Sequence, residues 1–69
     1  MNDNIDVDRV RMTPDGRMDR RNAAKYLGRN PKTMAQWVPL GRGPRFVKVG
    51  GRVFYYREDL DAFIRGDAA

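Results

Sequence analysis

The sequence predicts a small α+β domain: two short helices joined by a tight turn, a two-stranded β-hairpin, and a closing helix. Three observations predict it. Residues 23–37, AAKYLGRNPKTMAQW, hold two helix-compatible runs separated by Gly28 and an Asn-Pro pair. Residues 46–56, FVKVGGRVFYY, are two β-rich runs around Gly50-Gly51, a strong hairpin signal. Residues 58–65 carry Leu60, Phe63 and Ile64 at helical spacing. A chain of 69 residues has room for one domain, with a modest core and a thin stability margin.

Residues 1–16 show no helical period. Ile5 and Val7 alternate with acids, Val10 and Met12 flank Arg11, and Thr13-Pro14-Asp15-Gly16 is a turn signal. This segment reads as a flexible or extended N-terminal arm, ahead of a domain over 17–65 and a tail over 66–69. Asp19 is a good N-cap, and Asn22 three residues on imitates a weak capping box. The first helix then runs over about 20–27, with Ala23, Ala24 and Leu27 on one face. The two alanines allow a second helix to cross closely, or simply favour helix formation. Gly28 stops the helix by supplying a left-handed conformation.

Asn30 caps the second helix and Pro31 takes its first position, where a missing N–H costs nothing. This helix spans about 31–38 and ends at Pro39. At 100° per residue, Met34, Trp37 and Val38 gather on one side, while Lys32, Ala35 and Gln36 lie opposite with Thr33 at the margin. In the hairpin, a turn at Gly50-Gly51 pairs Lys48 with Val53 and Phe46 with Tyr55 on one face. Val47 with Phe54, Val49 with Arg52, and Arg45 with Tyr56 share the other. That second face leaves Val47, Phe54 and Tyr56 exposed unless the arm (Ile5, Val7, Val10) or another protein molecule covers them, which marks a candidate partner surface. In the closing helix, Glu58 to Arg65, acids in the first turn and Arg65 in the last suit the helix dipole. Leu60, Phe63 and Ile64 are expected to close the core.

Composition narrows the chemistry. There are no cysteines and no histidines, which removes disulfides, thiolate or imidazole metal sites and a His general base. Acids are sparse outside the termini, and no nucleophile–base pair or phosphate-cradling loop is present. An enzyme is therefore not expected, nor is a cofactor. No apolar run approaches membrane-spanning length, and the polar, acidic N-terminus is unlike a secretory signal, so a cytoplasmic location is expected. The net charge of +5 hides a stronger asymmetry: −2 over residues 1–16, +10 over 17–57 and −3 over 58–69. The positive charge sits on the two helices and the hairpin, where a phosphate backbone would lie.

Together these elements describe a small winged helix-turn-helix, a compact way to present one helix to the DNA major groove and a basic loop to the flanking backbone. The acid-free face of the second helix suits base reading. Gln36 can pair bidentately with adenine, Lys32 can reach guanine or phosphate, and Ala35 or Thr33 can meet a thymine methyl.

The succession Ala23-Ala24-x-x-Leu27-Gly28, Thr33, Trp37, Gly43-Pro44-x-Phe46-Val47-Lys48-Val49-Gly50, Val53-x-Tyr55 and Asp59-Leu60-x-Ala62-Phe63 resembles the excisionase-like helix-turn-helix family, which is related to MerR-type DNA-binding domains and includes AlpA-like phage regulators. The resemblance covers about residues 18–64. It implies that Lys32, Thr33 and Gln36 read bases and that Arg20, Arg21, Arg29, Lys48 and Arg52 contact the backbone. It also implies one of two roles. The first is a recombination directionality factor that binds repeated sites, bends DNA and assists an integrase; the second is a transcriptional regulator of a prophage or integrative element. Either role favours copies assembling head-to-tail on DNA, with Val47, Phe54 and Tyr56 as the candidate contact surface. A protein-interaction adaptor, such as an anti-repressor, is the reading from another class. The concentrated positive charge speaks against it.

Overall fold

Asp19 starts a helix as the sequence suggests, but the residues just before that helix already form a strand. The computed structural model describes residues 9–66. Its elements are β1 (Arg17–Asp19), α1 (Arg20–Leu27), α2 (Pro31–Trp37), β2 (Val47–Val49), β3 (Arg52–Tyr56) and α3 (Arg57–Arg65). Ile5, Val7 and the tail residues 67–69 lie outside the described residues.

The hairpin forms in the expected register, with Val47 opposite Phe54, Lys48 opposite Val53 and Val49 opposite Arg52. It is not alone. β1 pairs antiparallel with the other edge of β3, placing Arg17 opposite Tyr56, Met18 opposite Tyr55 and Asp19 opposite Phe54. The sheet is therefore three-stranded, in the order β1-β3-β2. Alternation along the strands sends Met18 and Tyr55 to the helix side, and both are fully buried. Arg17, Asp19, Arg52, Phe54 and Tyr56 share the outer face.

The core is small: Met18, Ala23, Ala24, Met34, Tyr55 and Leu60 are buried, with Val10, Tyr26, Leu27, Trp37 and Val53 packed around them. Each large side chain so buried contributes about 1.5–3 kcal/mol. Ala23 and Ala24 have no exposed surface to speak of and lie where α1 meets its neighbours, so their small size permits close packing. α3 docks through Leu60, while Ile64, expected in the core, remains 58% exposed. Leu60 and Phe63 already occupy the inward stripe of this short helix, and Ile64 falls on its rim.

Caps and turns hold the segments in place. The Asp19 carboxylate accepts from the Asn22 backbone N–H and from its side-chain amide, both at 2.9 Å. The backbone bond is the forward half of the expected capping box, and only the reciprocal half differs. Asn22 is shorter than the Glu or Gln of that motif and bonds the cap's carboxylate instead. Its own carbonyl oxygen accepts from the Arg11 N–H at 2.9 Å, which ties the N-terminal segment to α1. The turn at residues 13–16 closes with Thr13 N–H donating to the Arg17 carbonyl at 2.9 Å, and the Gly16 carbonyl accepts from Arg57 N–H at 2.8 Å. Tyr26 donates a hydrogen bond to Asp61, joining α1 to α3. That bond, then burial and the neighbouring carboxylate charge, raise the Tyr26 pKa above its ordinary value.

Candidate nucleic-acid interface

The second helix is positioned by what it buries. Asn30 caps it, accepting from the Lys32 N–H at 2.8 Å, and Pro31 opens it. Met34 is fully buried, and Trp37 packs on Phe63 with ring centroids 5.5 Å apart. Gly43 also packs against the indole: a Cβ there would stand 2.7 Å from Trp37 Cε3, and its φ of +88° is one that L side chains rarely adopt. With Met34 and Trp37 held, the rotation of α2 about its axis is set. Lys32 and Gln36, one turn apart, are exposed; Thr33 and Ala35 are half-buried. Among the described residues of this helix there is no acid.

The cations assigned to the backbone do not all sit alike. Arg21, Arg29, Lys48 and Arg52 are exposed, whereas Arg20 is half-buried and donates from Nε to the Tyr55 hydroxyl at 3.4 Å. Arg20, Arg21, Gly51 and Arg52 line one open cleft of about 430 Å³, so the tip of the hairpin and the start of α1 come together. Arg29 lies in the turn between the helices, and Lys48 on β2. Asp19 also lines the cleft. Its partial burial alone would raise its pKa, but the two Asn22 hydrogen bonds and the charges of Arg52 and Arg21 outweigh this and hold it below the ordinary aspartate value.

The outer sheet face, expected to be open unless something covers it, is partly covered. Val47, Phe54 and Tyr56 are half-buried. The Arg17 guanidinium carbon lies 5.0 Å from the Phe54 ring centroid and that of Arg52 lies 5.7 Å away. Both are within cation–π range. The cause is β1: its pairing with β3 carries Arg17 onto the ring. Arg17 lines an open groove with Arg9, Arg11, Lys25, Arg21 and Arg52; the first four were not among the candidate residues read from the sequence. The one available signal was the Arg-Met-Asp alternation at 17–19, which is too short to separate a strand from a loop.

A helix-turn-helix closed by a sheet, with an exposed cationic and amide face on its second helix, defines a class of DNA-binding module. A family model described as a helix-turn-helix domain matches residues 18–68, most of the chain. The protein belongs to that family and is a DNA-binding, non-catalytic helix-turn-helix protein. No curated protein and no solved structure matches the chain. Among the described residues, no helix is long and apolar enough to cross a membrane.

Proposed function

We propose that this protein is a recombination directionality factor of the excisionase type. In this reading it binds repeated duplex sites next to an attachment site, bends the DNA and assists an integrase in excising a mobile element. Its second helix enters the major groove, where Lys32, Thr33 and Gln36 read bases. Arg20, Arg21, Arg29, Lys48 and Arg52 hold the flanking phosphates.

The observation that carries the reading is the outward, acid-free face of α2, held in rotation by Met34 and Trp37. The likeness to excisionase-like sequences over residues 18–64 supports the specific role. So does size. The described residues span 37 Å, about one turn of B-form DNA. A single copy therefore meets a short site and gains affinity and specificity by binding beside further copies. Of the candidate surface Val47, Phe54 and Tyr56, the proposed contact between neighbours uses Val47 and Tyr56, since Phe54 lies beneath Arg17 and Arg52.

The test is a footprint of the purified protein across its own genomic neighbourhood at moderate salt. Phased direct repeats protected beside an integrase attachment site support excision control. Protection confined to a promoter replaces that role with transcriptional regulation of an integrative element. If about six cations meet phosphates, binding to any duplex should fall with a log–log salt slope of roughly −5 to −6.

A further inference from the structure

A second surface concavity extends beyond the assigned interface. It is an open groove of about 570 Å³, and Arg9, Arg11, Arg17, Arg21, Lys25 and Arg52 all line it. Asp19 is the one carboxylate among its lining residues. Four parts of the fold build it: the N-terminal segment, β1, the exposed side of α1 and the wing strand β3. Two of its cations, Arg21 and Arg52, also line the cleft at the wing tip. The groove therefore continues the proposed backbone contact away from α2 and towards residue 9.

Its floor is organised to hold charge. Phe54 lines the groove, with the guanidinium groups of Arg17 and Arg52 resting on its ring at 5.0 and 5.7 Å. Stacking on the ring face leaves the planar edge of a guanidinium able to donate to phosphate oxygens. Arg17 Nε is buried and has no hydrogen-bond partner. The rim is anchored as well, because the Arg11 N–H is bonded to Asn22. A small anion would engage only a few of these six cations, whereas an extended polyanion engages them in succession.

We propose that this groove seats the phosphodiester backbone of the duplex flanking the recognition site, so that the segment from residue 9 to β1 is part of the DNA-binding surface. The proposal rests on the duplex-binding reading above and extends its footprint. Arg9 and Arg11 supply contacts at the outer end, Arg17 the middle, and Arg21 and Arg52 the junction with the wing.

The experiment measures the affinity of the full chain for a 30-bp mixed-sequence duplex (about three helical turns) as a function of salt. The variants are R9A/R11A and a charge-matched control on α3, R57A/R65A. Thermal melts of each variant confirm folding, and both side chains in the test pair are exposed. Losing two phosphate contacts should make the log–log slope shallower by about 1.8 and weaken binding on the order of a hundredfold at 50 mM salt. The control should keep the wild-type slope. A wild-type slope for R9A/R11A, or an equal loss in the control, overturns the groove assignment and leaves the α2 reading standing. Failure of the unmodified protein to bind the duplex at low salt overturns both.

Discussion

Replacing Gly43 by alanine tests the packing that fixes the rotation of α2. The new Cβ would lie 2.7 Å from Trp37 Cε3 and 3.3 Å from Trp37 Cβ, at a φ of +88°. Two costs combine. A side chain at positive φ costs about 1–2 kcal/mol, and overpacking against an indole that also packs on Phe63 adds about 1–3 kcal/mol. The expected loss is about 2–5 kcal/mol, from a total stability of about 3–10 kcal/mol for a chain of this size. Gly41 is the control, because its φ is +68° but no atom lies within 4 Å of the Cβ position. Its alanine variant should lose only the backbone part, about 1–2 kcal/mol. Both substitutions restrict the unfolded chain alike, so that effect cancels in the comparison. Urea unfolding followed by fluorescence of Trp37, the only tryptophan, reads the difference directly. With a slope near 1 kcal/mol/M, G43A should unfold about 1–3 M earlier than G41A. Equal midpoints would refute the tight approach to Trp37 and remove one of the two anchors of the recognition face.

Four further outcomes are expected. Gln36→Ala should relax preference at one base position by about 1–3 kcal/mol, while Lys48→Ala weakens all sequences alike; uniform effects of both in a binding-site selection assay would sink the base-reading assignment. Asp19 has a folded pKa below its ordinary value, so its contribution is full above the unfolded pKa and is lost as pH falls through the folded one, below about pH 4. Asp19→Asn should keep the helix cap at neutral pH yet flatten the acid-side slope of stability in urea titrations, and an unchanged slope would contradict the capping role. Val47→Asp should abolish cooperative filling of adjacent sites without altering single-site affinity, as read by gel shift on one-site and two-site duplexes; retained cooperativity removes that surface. Raising salt from about 50 to 200 mM should raise the melting temperature of the free protein by screening self-repulsion while it weakens DNA binding, and a melting temperature that falls instead would argue against crowded cations.

The helices were legible because their punctuation is local. Asp19, Gly28, Asn30 and Pro31 act within a turn of their own position, and all four lie at the helix ends where the sequence places them. The hairpin register was legible for a similar reason, since Gly50-Gly51 leaves few ways to align the flanking runs. β1 was not. Three residues carry too short a pattern, and what makes them a strand is the free edge of β3, a partner 35 to 39 residues away in sequence. The site divided along the same line. Lys32 and Gln36 follow from helical geometry once Met34 is taken as core. Arg9, Arg11 and Arg17 join the charged surface only through the pairing of β1 with β3 and the Arg11–Asn22 bond, neither of which leaves a local trace.

The three residues of β1 connect stability to charge placement. Among the described residues Met18 is one of four large side chains that are fully buried, so a core this small depends on β1 being paired. The pleat then gives Arg17 and Asp19 no choice of side: with Met18 inward, both must face out, beside Phe54. Asp19 spends its carboxylate on the N-terminus of α1, and Arg17 lies across the ring. Burying one methionine thus sets a cation in the floor of the groove and turns the groove's one lining carboxylate into a helix cap. A shift of this strand by a single residue would expose Met18, bury Arg17 or Asp19, and undo the cap. The register that completes the core is the same register that places Arg17 on the charged face.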